Sequence, residues 1–415
     1  MLGEKMMKLF AKIKEYGISE SVKIGYHKLI RKINDLLIYI FRILPIDPTL
    51  IVMESEGDLS DNAYALYDYL KSNGYLNKYS VVWLVYDVDK AARRMPETSF
   101  ISKEPIKIDI RRSKYLATCR WFMYDHRNII NHLKKRKDQS IVYLSHGAGF
   151  KDSKGDTSKI KTWFDIIFMQ GDIPAQIAAH FWNQPIEKVK RLGYSRTDYF
   201  FQNHDRIRQI FSNRFHTDNN CKIIIWMPTF RKSTSKELSE EYKYTETGLP
   251  IFDTVGEIRA FDHFLEELGI YLVIKPHPLQ AKLPVFSESF RRILILLNED
   301  LSNLGIQLYQ FVGLTDALIT DYSSIAHDYL LLNKPIIYTL DDYDDYSKSR
   351  GLWPENALEY MVGYHVYNKK DFENALKDIS RGQDIYNEAR NLTVPLFHDH
   401  VDGNSSQRIV NYLKL

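Results

Sequence analysis

The hydrophobic positions of the chain form two successive series of short apolar runs, separated by stretches of helical periodicity. The first series predicts strands at 50–53, 81–86, 121–124, 141–144 and 166–169, and the second predicts them at 223–227, 271–274, 307–309, 317–320 and 335–338. Helices are predicted between them, for example at 62–72, 112–118, 259–268 and 324–332. Short apolar strands that alternate with helices are typical of parallel sheets covered on both faces. The pattern therefore predicts an α/β fold in which a doubly wound architecture occurs twice.

The same pattern divides the chain into four segments. Residues 46–210 and 211–385 are each expected to form a Rossmann-like domain, with a linker within 200–220 where polar residues interrupt the apolar pattern. Residues 386–415 end in a helix at 405–413 that we expect to pack back on the first domain. Two such domains that face each other place a ligand cleft at the carboxyl ends of both sheets.

Residues 1–45 differ from the rest in charge. They contain nine Lys and Arg against four Asp and Glu, with apolar residues at roughly helical spacing. The apolar run near residue 40 is shorter than the roughly 20 residues that a bilayer-spanning helix needs. A basic amphipathic helical segment that lies on an anionic membrane surface is the preferred interpretation, and a basic helix docked on the protein is the alternative.

Composition and charge exclude several classes of protein. With 415 residues, the chain suits two domains, and its net charge of +3 gives no basic field for nucleic acid. Cys119 and Cys221 are too far apart in sequence for a recognisable disulfide framework or zinc motif. The N-terminus has no secretory-signal pattern, so we expect no export.

The end of the strand at 141–144 carries the first candidate catalytic residue. His146 follows this strand directly, with Gly147 and Gly149 beside it and Lys151 just beyond. A histidine at such a position can accept a proton near neutral pH, and glycines allow a substrate to approach the backbone. A histidine that only forms hydrogen bonds within a turn is the alternative.

Basic residues follow two strands of the second series. Arg231 comes after the strand at 223–227, and Lys275 and His277 come after the strand at 271–274. Parallel strand ends bring such residues to one edge of the sheet, where Arg, Lys and His can bind phosphate oxygens. The sequence therefore favours a phosphate site over three solvated side chains.

The segment after the strand at 317–320 reads as a helix start. Ser323 and Ser324 follow Asp321 and precede an apolar helix, so either serine can cap the helix, bind a diphosphate, or do both. Further on, the acidic run 341–345 is interpreted as a solvated loop and not as a Mg²⁺ site. Arg350 beyond it is a candidate phosphate contact.

Taken together, these segments resemble the CDP-glycerol glycerophosphotransferase family of teichoic acid and capsule polymer enzymes. The matching pieces occur in order: Ile-Val-Met-Glu-Ser at 51–55, His-Gly at 146–147 with Lys151, Gly-Tyr-Ser-Arg-Thr-Asp at 193–198, Pro-Thr-Phe-Arg at 228–231, Lys-Pro-His-Pro at 275–278, Asp-Tyr-Ser-Ser-Ile at 321–325 with Asp328, Lys-Pro at 334–335, Asp344, Tyr346, Arg-Gly at 350–351, and Asp-Gly at 402–403 with Ser405 and Arg408. The resemblance implies a GT-B fold with an acceptor domain at 46–210 and a CDP-donor domain at 211–385. It further implies transfer of an alditol phosphate from a CDP-alditol to a hydroxyl, with release of CMP.

By resemblance, His146 is the base that deprotonates the acceptor. His277 is the second catalytic histidine, and it would stabilise the diphosphate and the leaving CMP together with Arg231, Lys275, Ser323, Ser324 and Arg350. The remaining implied substrate-binding residues are Gly147, Lys151, Thr229 and Asp321. No metal and no cofactor beyond the donor, CDP-glycerol or CDP-ribitol, are expected.

The acceptor implied by the resemblance is a lipid-linked or growing cell-surface polymer. We therefore expect a peripheral protein on the cytoplasmic face of a bacterial plasma membrane, with no nucleic-acid partner. The segment 148–150 and Ser195 depart from the family pattern on the acceptor side, so capsule and teichoic acid both stay open. The alternatives are a GT-B glycosyltransferase with a nucleotide-sugar donor and a catalytically silent docking protein.

Overall fold

A computed structural model describes residues 2–152, 164–218, 221–229, 245–276, 281–349 and 351–415. Within these ranges, side chains are described for residue 19 and for residues 21–348 and 351–415. The strands of the described residues are β1 (Asp47–Glu54), β2 (Ser80–Val85), β3 (Ser99–Ser102), β4 (Cys119–Tyr124), β5 (Ser140–Tyr143), β6 (Ile166–Met169), β7 (Val189–Arg191), β8 (Lys222–Trp226), β9 (Ile270–Ile274), β10 (Ile293–Ile295), β11 (Ala317–Thr320), β12 (Ile336–Thr339) and β13 (Tyr364–Val366).

Helices precede, separate and follow these strands. They are α1 (Leu2–Phe41), α2 (Asp61–Ser72), α3 (Val88–Arg94), α4 (Ile110–Thr118), α5 (Asp172–Phe181), α6 (Asp205–Phe215), α7 (Val255–Glu267), α8 (Asn298–Leu304), α9 (Leu308–Leu314), α10 (Ile325–Tyr329), α11 (Tyr343–Ser349), α12 (Ala357–Tyr360), α13 (Lys369–Ser380), α14 (Asn387–Phe397) and α15 (Ser405–Leu413). Short 3₁₀ segments include Ser195–Phe201 and Leu330–Leu332.

The first sheet has seven strands in the order β3-β2-β1-β4-β5-β6-β7. The central strand β1 pairs in parallel with β2 and β4, and Ile51 lies between Val81 and Trp121. The side chains of Ile51, Val52 and Met53 are fully buried. A strand that is covered on both faces is mostly apolar, which is why residues 50–53 of β1 form a continuous hydrophobic run.

The second sheet repeats this topology with six strands in the order β10-β9-β8-β11-β12-β13. Its core contains a cluster of aromatic rings in which Trp226, Phe252, Phe261 and Phe372 pack with centroids 4.7–6.1 Å apart. In both sheets the strand order reverses at the first strand, as in doubly wound dinucleotide-binding folds. The two parallel sheets confirm the predicted α/β fold class.

One predicted strand is wrong. Residues 307–309 were expected to form a strand, but they begin α9. The Gln307 backbone N–H donates to Oε1 of Gln310 at 2.9 Å, in a reciprocal cap of the helix start. This cap provides hydrogen-bond partners for backbone N–H groups at the helix start. A prediction that rests on a short apolar run does not take such a cap into account.

The chain consists of two compact units. Unit 1 comprises Met1–Leu144 and Lys161–Ile167, and unit 2 comprises Ser145–Ile160 and Phe168–Leu415. His146 therefore belongs to unit 2. The segment 200–220, where we expected a linker, contains α6.

The N-terminal helix α1 is 40 residues long and packs on α4 within unit 1. Asn34 joins it to the start of α4: its Nδ2 donates to the Lys107 carbonyl at 3.0 Å, and its Oδ1 accepts from the Asp109 backbone N–H at 3.2 Å. In the part of the chain that the structure describes, no helix is both long enough and apolar enough to span a membrane.

Candidate functional site

The His146 loop begins where β5 ends, and its backbone turns sharply. Ser145 has φ +67° and Gly147 has φ +116°, which are left-handed conformations on both sides of His146. The Ser145 hydroxyl accepts a hydrogen bond from the Gly147 backbone N–H at 3.1 Å and lies 3.2 Å from the Tyr194 hydroxyl. The Gly147 backbone N–H and the buried Tyr194 hydroxyl thus hold the turn, while the His146 side chain is exposed.

The glycines of this loop lie directly against the loop that precedes α10. A Cβ atom at Gly147 would lie 2.2 Å from Oγ of Ser324, and one at Gly149 would lie 2.9 Å from the Tyr322 carbonyl oxygen. Any side chain at Gly147 would also be strained by its positive φ. Two segments that the sequence analysis selected separately, His146-Gly147 and Ser323-Ser324, therefore meet within unit 2.

A buried arginine holds this meeting point. Arg196 is 3 % exposed, and its guanidinium donates to the His146 carbonyl at 3.2 Å and to Oδ2 of Asp328 at 2.7 Å. Asp328 on α10 is fully buried and also accepts hydrogen bonds from the Tyr309 hydroxyl and the Gln170 amide. The buried Arg–Asp pair connects the His146 main chain to the helix that follows Ser324.

Asp321 positions a loop. Its carboxylate is buried and accepts hydrogen bonds from the Thr229 backbone N–H at 2.8 Å and from the Thr229 hydroxyl. These residues follow β11 and β8, which are neighbours in the second sheet. Asp321 thereby fixes Thr229, the last described residue before the predicted phosphate contact Arg231.

Ser324 occupies the N-cap position of α10, but its side chain makes no capping hydrogen bond. Ser323 and Ser324 are both partly exposed. The Ser324 hydroxyl therefore lies at the helix start without capping it, and Ser323 directly precedes it. The sequence left two roles open for this side chain, helix capping and phosphate binding. The Ser324 side chain does not cap α10.

The remaining candidate residues lie at strand ends or outside the described residues. Lys275 directly follows β9 and is 8 % exposed, and its backbone N–H donates to the Trp226 carbonyl at 2.9 Å. Lys151 is exposed and forms an antiparallel bridge with Leu352. Arg231, His277 and Arg350 lie outside the described residues, so their roles stay predictions.

Two carboxylates of the acidic run bind neighbouring protein groups. Asp341 accepts a hydrogen bond from the Ile251 backbone N–H at 3.1 Å, and Asp342 accepts one from the Tyr322 hydroxyl at 3.1 Å. The ring of Tyr322 stacks on that of Tyr346 at 3.8 Å. These carboxylates therefore organise the segment beside the Ser323-Ser324 loop.

Another pair of motif segments forms a structural lock in unit 2. The Asp198 carboxylate accepts hydrogen bonds from the backbone N–H groups of Ser405 and Ser406, each at 2.8 Å, at the start of α15. Nη1 of Arg408 on α15 donates to both carboxylate oxygens of Asp402, and its Nε donates to the Leu192 carbonyl. The C-terminal helix is thereby attached to the segment that carries Arg196.

Two buried histidines behind the His146 loop predict a loss of stability in acid. Burial lowers the pKa of His327 to about 3 and that of His398 to about 4, and Nε2 of His398 lies 2.7 Å from the His327 carbonyl oxygen. Both should stay neutral when folded but gain a proton near pH 6.5 when unfolded, so their stabilising contribution is lost as pH falls from about 6.5 toward 4. Between pH 7 and 5 the two together should cost about 4 kcal/mol of unfolding free energy.

Urea unfolding of wild-type protein at pH 5, 6 and 7 measures this loss. The His398→Gln variant should show a shallower dependence on pH, whereas His263→Gln, at an exposed histidine of α7, should follow the wild type. An equal pH dependence in all three proteins would contradict a buried neutral pair.

No role could be assigned to Arg196 and Asp328 from the sequence. Both lie in segments that carry the family resemblance, and Asp328 lies beside His327 in the mostly apolar stretch 325–332. A charged residue on an apolar helix face requires a buried partner, because an unpaired charge is costly to remove from water. That pattern was the available signal for the pair, although it does not identify Arg196 as the partner.

Comparison with known proteins agrees with this architecture. The chain is 26 % identical to the teichoic acid poly(ribitol-phosphate) polymerase of Bacillus spizizenii, over 93 % of this chain and 60 % of the polymerase. It is 24 % identical to the teichoic acid ribitol-phosphate primase of the same organism, over 89 % of this chain and 92 % of the primase. The chain thus spans less than two thirds of the polymerase but nearly the whole primase.

A solved structure of the wall teichoic acid polymerase TagF has the same fold. It superposes with a TM-score of 0.73 at 18 % identity and covers 98 % of this chain and 97 % of that chain. The family model described as CDP-Glycerol:Poly(glycerophosphate) glycerophosphotransferase matches residues 36–415 and confirms the resemblance that the motifs predicted. The chain therefore belongs to the CDP-glycerol:poly(glycerophosphate) glycerophosphotransferase family.

Proposed function

We propose that this chain transfers glycerol phosphate or ribitol phosphate from a CDP-alditol to a hydroxyl of a cell-surface polymer acceptor, with release of CMP. The family match over residues 36–415 carries this proposal. Among related proteins, a TagF variant has been studied after soaking with CDPG, and curated relatives are named as ribitol-phosphate and glycerol-phosphate enzymes. The closeness of the His146 and Ser324 loops supports it from the geometry.

In the proposed reaction, the acceptor oxygen attacks the phosphorus that carries the alditol. The bond from that phosphorus to the bridging oxygen breaks, CMP leaves with the electron pair, and His146 takes the acceptor's proton. Phosphoryl transfer depends mainly on positioning and on stabilising the charge of the phosphate oxygens. Ser323, Ser324 and Lys275, with the predicted Arg231, His277 and Arg350, would supply that stabilisation.

The loop geometry supports this division of roles. The His146 ring is exposed, while its main chain is fixed by Arg196 and by the turn through Gly147. A base whose main chain is already fixed has less conformational freedom to lose when the acceptor binds, which favours proton transfer. Since Gly147 contacts Ser324, the proposed base and the proposed phosphate-binding serines belong to one constellation.

We further propose that α1 places the chain on the cytoplasmic face of the membrane. Apolar side chains that are more than half exposed recur at spacings of three, four and seven residues along α1 and in the turn that follows it: Val22, Tyr26, Leu29, Leu36, Ile40 and Ile43. Such a stripe beside Lys and Arg residues suits the headgroup layer of an anionic bilayer. This placement would bring the chain to a lipid-linked acceptor.

The test is acceptor-dependent release of CMP by the purified full chain. CDP-glycerol and CDP-ribitol are each supplied with and without a membrane fraction that contains acceptor, and pelleting with anionic vesicles is measured in parallel. CMP from one of the two donors, only when acceptor is present, is the expected result and names the alditol. UDP-sugars and GDP-sugars serve as control donors, and EDTA tests the expectation that no metal is needed.

Turnover of a nucleotide sugar, together with silence from both CDP-alditols, would contradict the proposal. Such a result would favour the glycosyltransferase alternative. Silence from all donors, with full binding to vesicles, would instead favour a docking protein.

A further inference from the structure

We propose that unit 1 contains a phosphate-binding pocket of its own, in which Arg31, Arg112 and Arg127 bind a phosphate group of the acceptor. A cavity of about 340 Å³ lies between α1, α4, the residues after β3 and the loop after β4. That volume falls within the range of roughly 300–1,000 Å³ that small-molecule sites occupy. The identity of the ligand as the acceptor rests on the proposed function, but the pocket itself rests on the contacts below.

The position of the cavity in the fold favours a ligand site. Lys103 directly follows β3, and the loop 126–132 follows β4, so the lining lies at the carboxyl end of the first sheet. The strand order reverses between β1 and β4. In open α/β sheets, ligands bind beside the carboxyl ends of the strands at this reversal point.

Arg112 gives the cavity a buried positive charge. It is 3 % exposed, and its guanidinium donates to the carbonyl oxygens of Ser102, Glu104 and Lys107 at 2.5–2.9 Å. These three partners are neutral carbonyl groups. Among the residues that the structure describes, no carboxylate forms an ion pair with the Arg112 guanidinium. Burial lowers the pKa of Arg112, and the nearby carboxylates of Asp109 and Glu104 offset this effect only in part.

Two more arginines line the cavity from opposite elements. Arg31 lies on α1 and Arg127 lies in the loop after β4, and both side chains are exposed. Neither side chain forms a hydrogen bond or an ion pair with another residue that the structure describes, although the charge of Arg127 partly offsets the burial that raises the pKa of Glu54. The planar guanidinium fork binds two oxygens of one phosphate, so two such side chains over one cavity suit a phosphate group well.

The other charges around the cavity are already matched. Lys103 is buried between Glu54 and Asp58, each with a carboxylate oxygen 3.3 Å from its Nζ atom. Asp35 lies 2.9 Å from Nε2 of His132. Arg31 and Arg127 are therefore the accessible cations of this lining that form no ion pair within the described residues, and the ligand that they bind beside Arg112 should be an anion.

The chemistry of the acceptor fits this requirement. Each unit of an alditol-phosphate polymer, and the link to a lipid carrier, contains a phosphate group. A pocket that holds one of these phosphate groups would bind the acceptor independently of the CDP-donor. Anionic lipid headgroups carry the same group, so the experiment has to separate a soluble phosphate polymer from a membrane surface.

The experiment compares the full chain with the double variant Arg31→Gln/Arg127→Gln. Isothermal titration calorimetry measures binding of a short synthetic oligo(glycerol phosphate), and pelleting measures binding to phosphatidylglycerol vesicles. The control Lys90→Gln/Arg93→Gln removes the same charge from exposed positions of α3, away from the cavity. Both arginines of the test variant are exposed, so the variant should fold, and its thermal unfolding midpoint checks this.

We expect the Arg31/Arg127 variant to bind the oligomer at least tenfold more weakly, the usual effect of losing one charge-assisted hydrogen bond. The control variant should bind it like the wild type, and all three proteins should bind CDP-glycerol equally. In turnover, the KM for acceptor should rise by a similar factor while kcat stays unchanged.

Three results would overturn the pocket. They are absence of oligomer binding by the wild type, equal oligomer binding by the wild type and the Arg31/Arg127 variant, and a loss confined to vesicle binding. The calorimetry needs no turnover, so it separates this inference from the proposed function. If no CDP-alditol is used but oligomer binding still depends on the two arginines, the pocket stands and the proposed reaction fails.

Discussion

Replacing His146 by Gln is expected to lower the turnover of acceptor-dependent CMP release by about 10² to 10⁴, the usual cost of removing a general base. Glutamine can form hydrogen bonds but cannot take the proton that leaves the acceptor hydroxyl. The loop should keep its shape, because Gly147, Ser145 and the Arg196 contact to the His146 carbonyl hold the main chain and not the ring. The KM for the CDP-donor should therefore change by less than about threefold, since the base acts on the acceptor.

The measurement is initial-rate CMP release as a function of pH. In the wild type, the acidic limb of the profile reports ionisation of the base, and this limb should disappear in His146→Gln. His263→Gln replaces an exposed histidine on α7 and should match the wild type in both rate and profile. A His146→Gln variant that keeps more than a tenth of the wild-type rate would remove His146 from the catalytic role.

The central strands of both sheets could be predicted from the sequence, but the edge strands could not. The strands β1, β8 and β11 are buried on both faces, so each reads as an unbroken apolar run. The strands that the sequence analysis missed are β3, β7, β10 and β13, which all lie at sheet edges and have three or four residues. A short edge strand has one unpaired side and too few residues to show a period.

The candidate site was predicted as a set of strand ends, not as a set of contacts. Topology alone brings His146, Thr229, Lys275 and Asp321 to the ends of their strands, so their spacing in sequence was informative. The partner of each polar side chain depends on tertiary packing. Asp321, for example, accepts hydrogen bonds from Thr229, a contact that the sequence does not show.

The Arg196–Asp328 pair shows the same limit more strongly. Its two residues are 132 positions apart, and the pair becomes visible only when the 3₁₀ segment Ser195–Phe201 packs beside α9 and α10. The sequence marked both residues as parts of recognisable segments. It could not show that one guanidinium serves a carboxylate and the His146 carbonyl at the same time.

Of the single substitutions described here, one that breaks the Arg196–Asp328 pair should lower the free energy of unfolding most. Asp328→Asn is expected to cost about 3–5 kcal/mol of unfolding free energy, because it leaves the Arg196 guanidinium buried without its counter-charge. Arg196→Met leaves Asp328 buried and also removes the donor to the His146 carbonyl. We expect its folded fraction to turn over about 10- to 100-fold more slowly, since a displacement of about 1 Å at a reacting group can cost that much.

The double variant Arg196→Met/Asp328→Asn separates the two effects. It buries no unpaired charge, so its free energy of unfolding should exceed that of Asp328→Asn by about 2 kcal/mol or more. Its kcat should nevertheless stay low, because the His146 carbonyl still lacks its donor.

Arg390→Met is the matched control. Arg390 is fully buried and paired with Asp384 in unit 2, and its loss should lower stability without lowering the kcat of folded protein. Urea unfolding and CMP release, measured on the same four variants, give both quantities. If the double variant regains turnover together with stability, Arg196 only stabilises the fold; if turnover stays low, Arg196 positions the His146 loop for proton transfer.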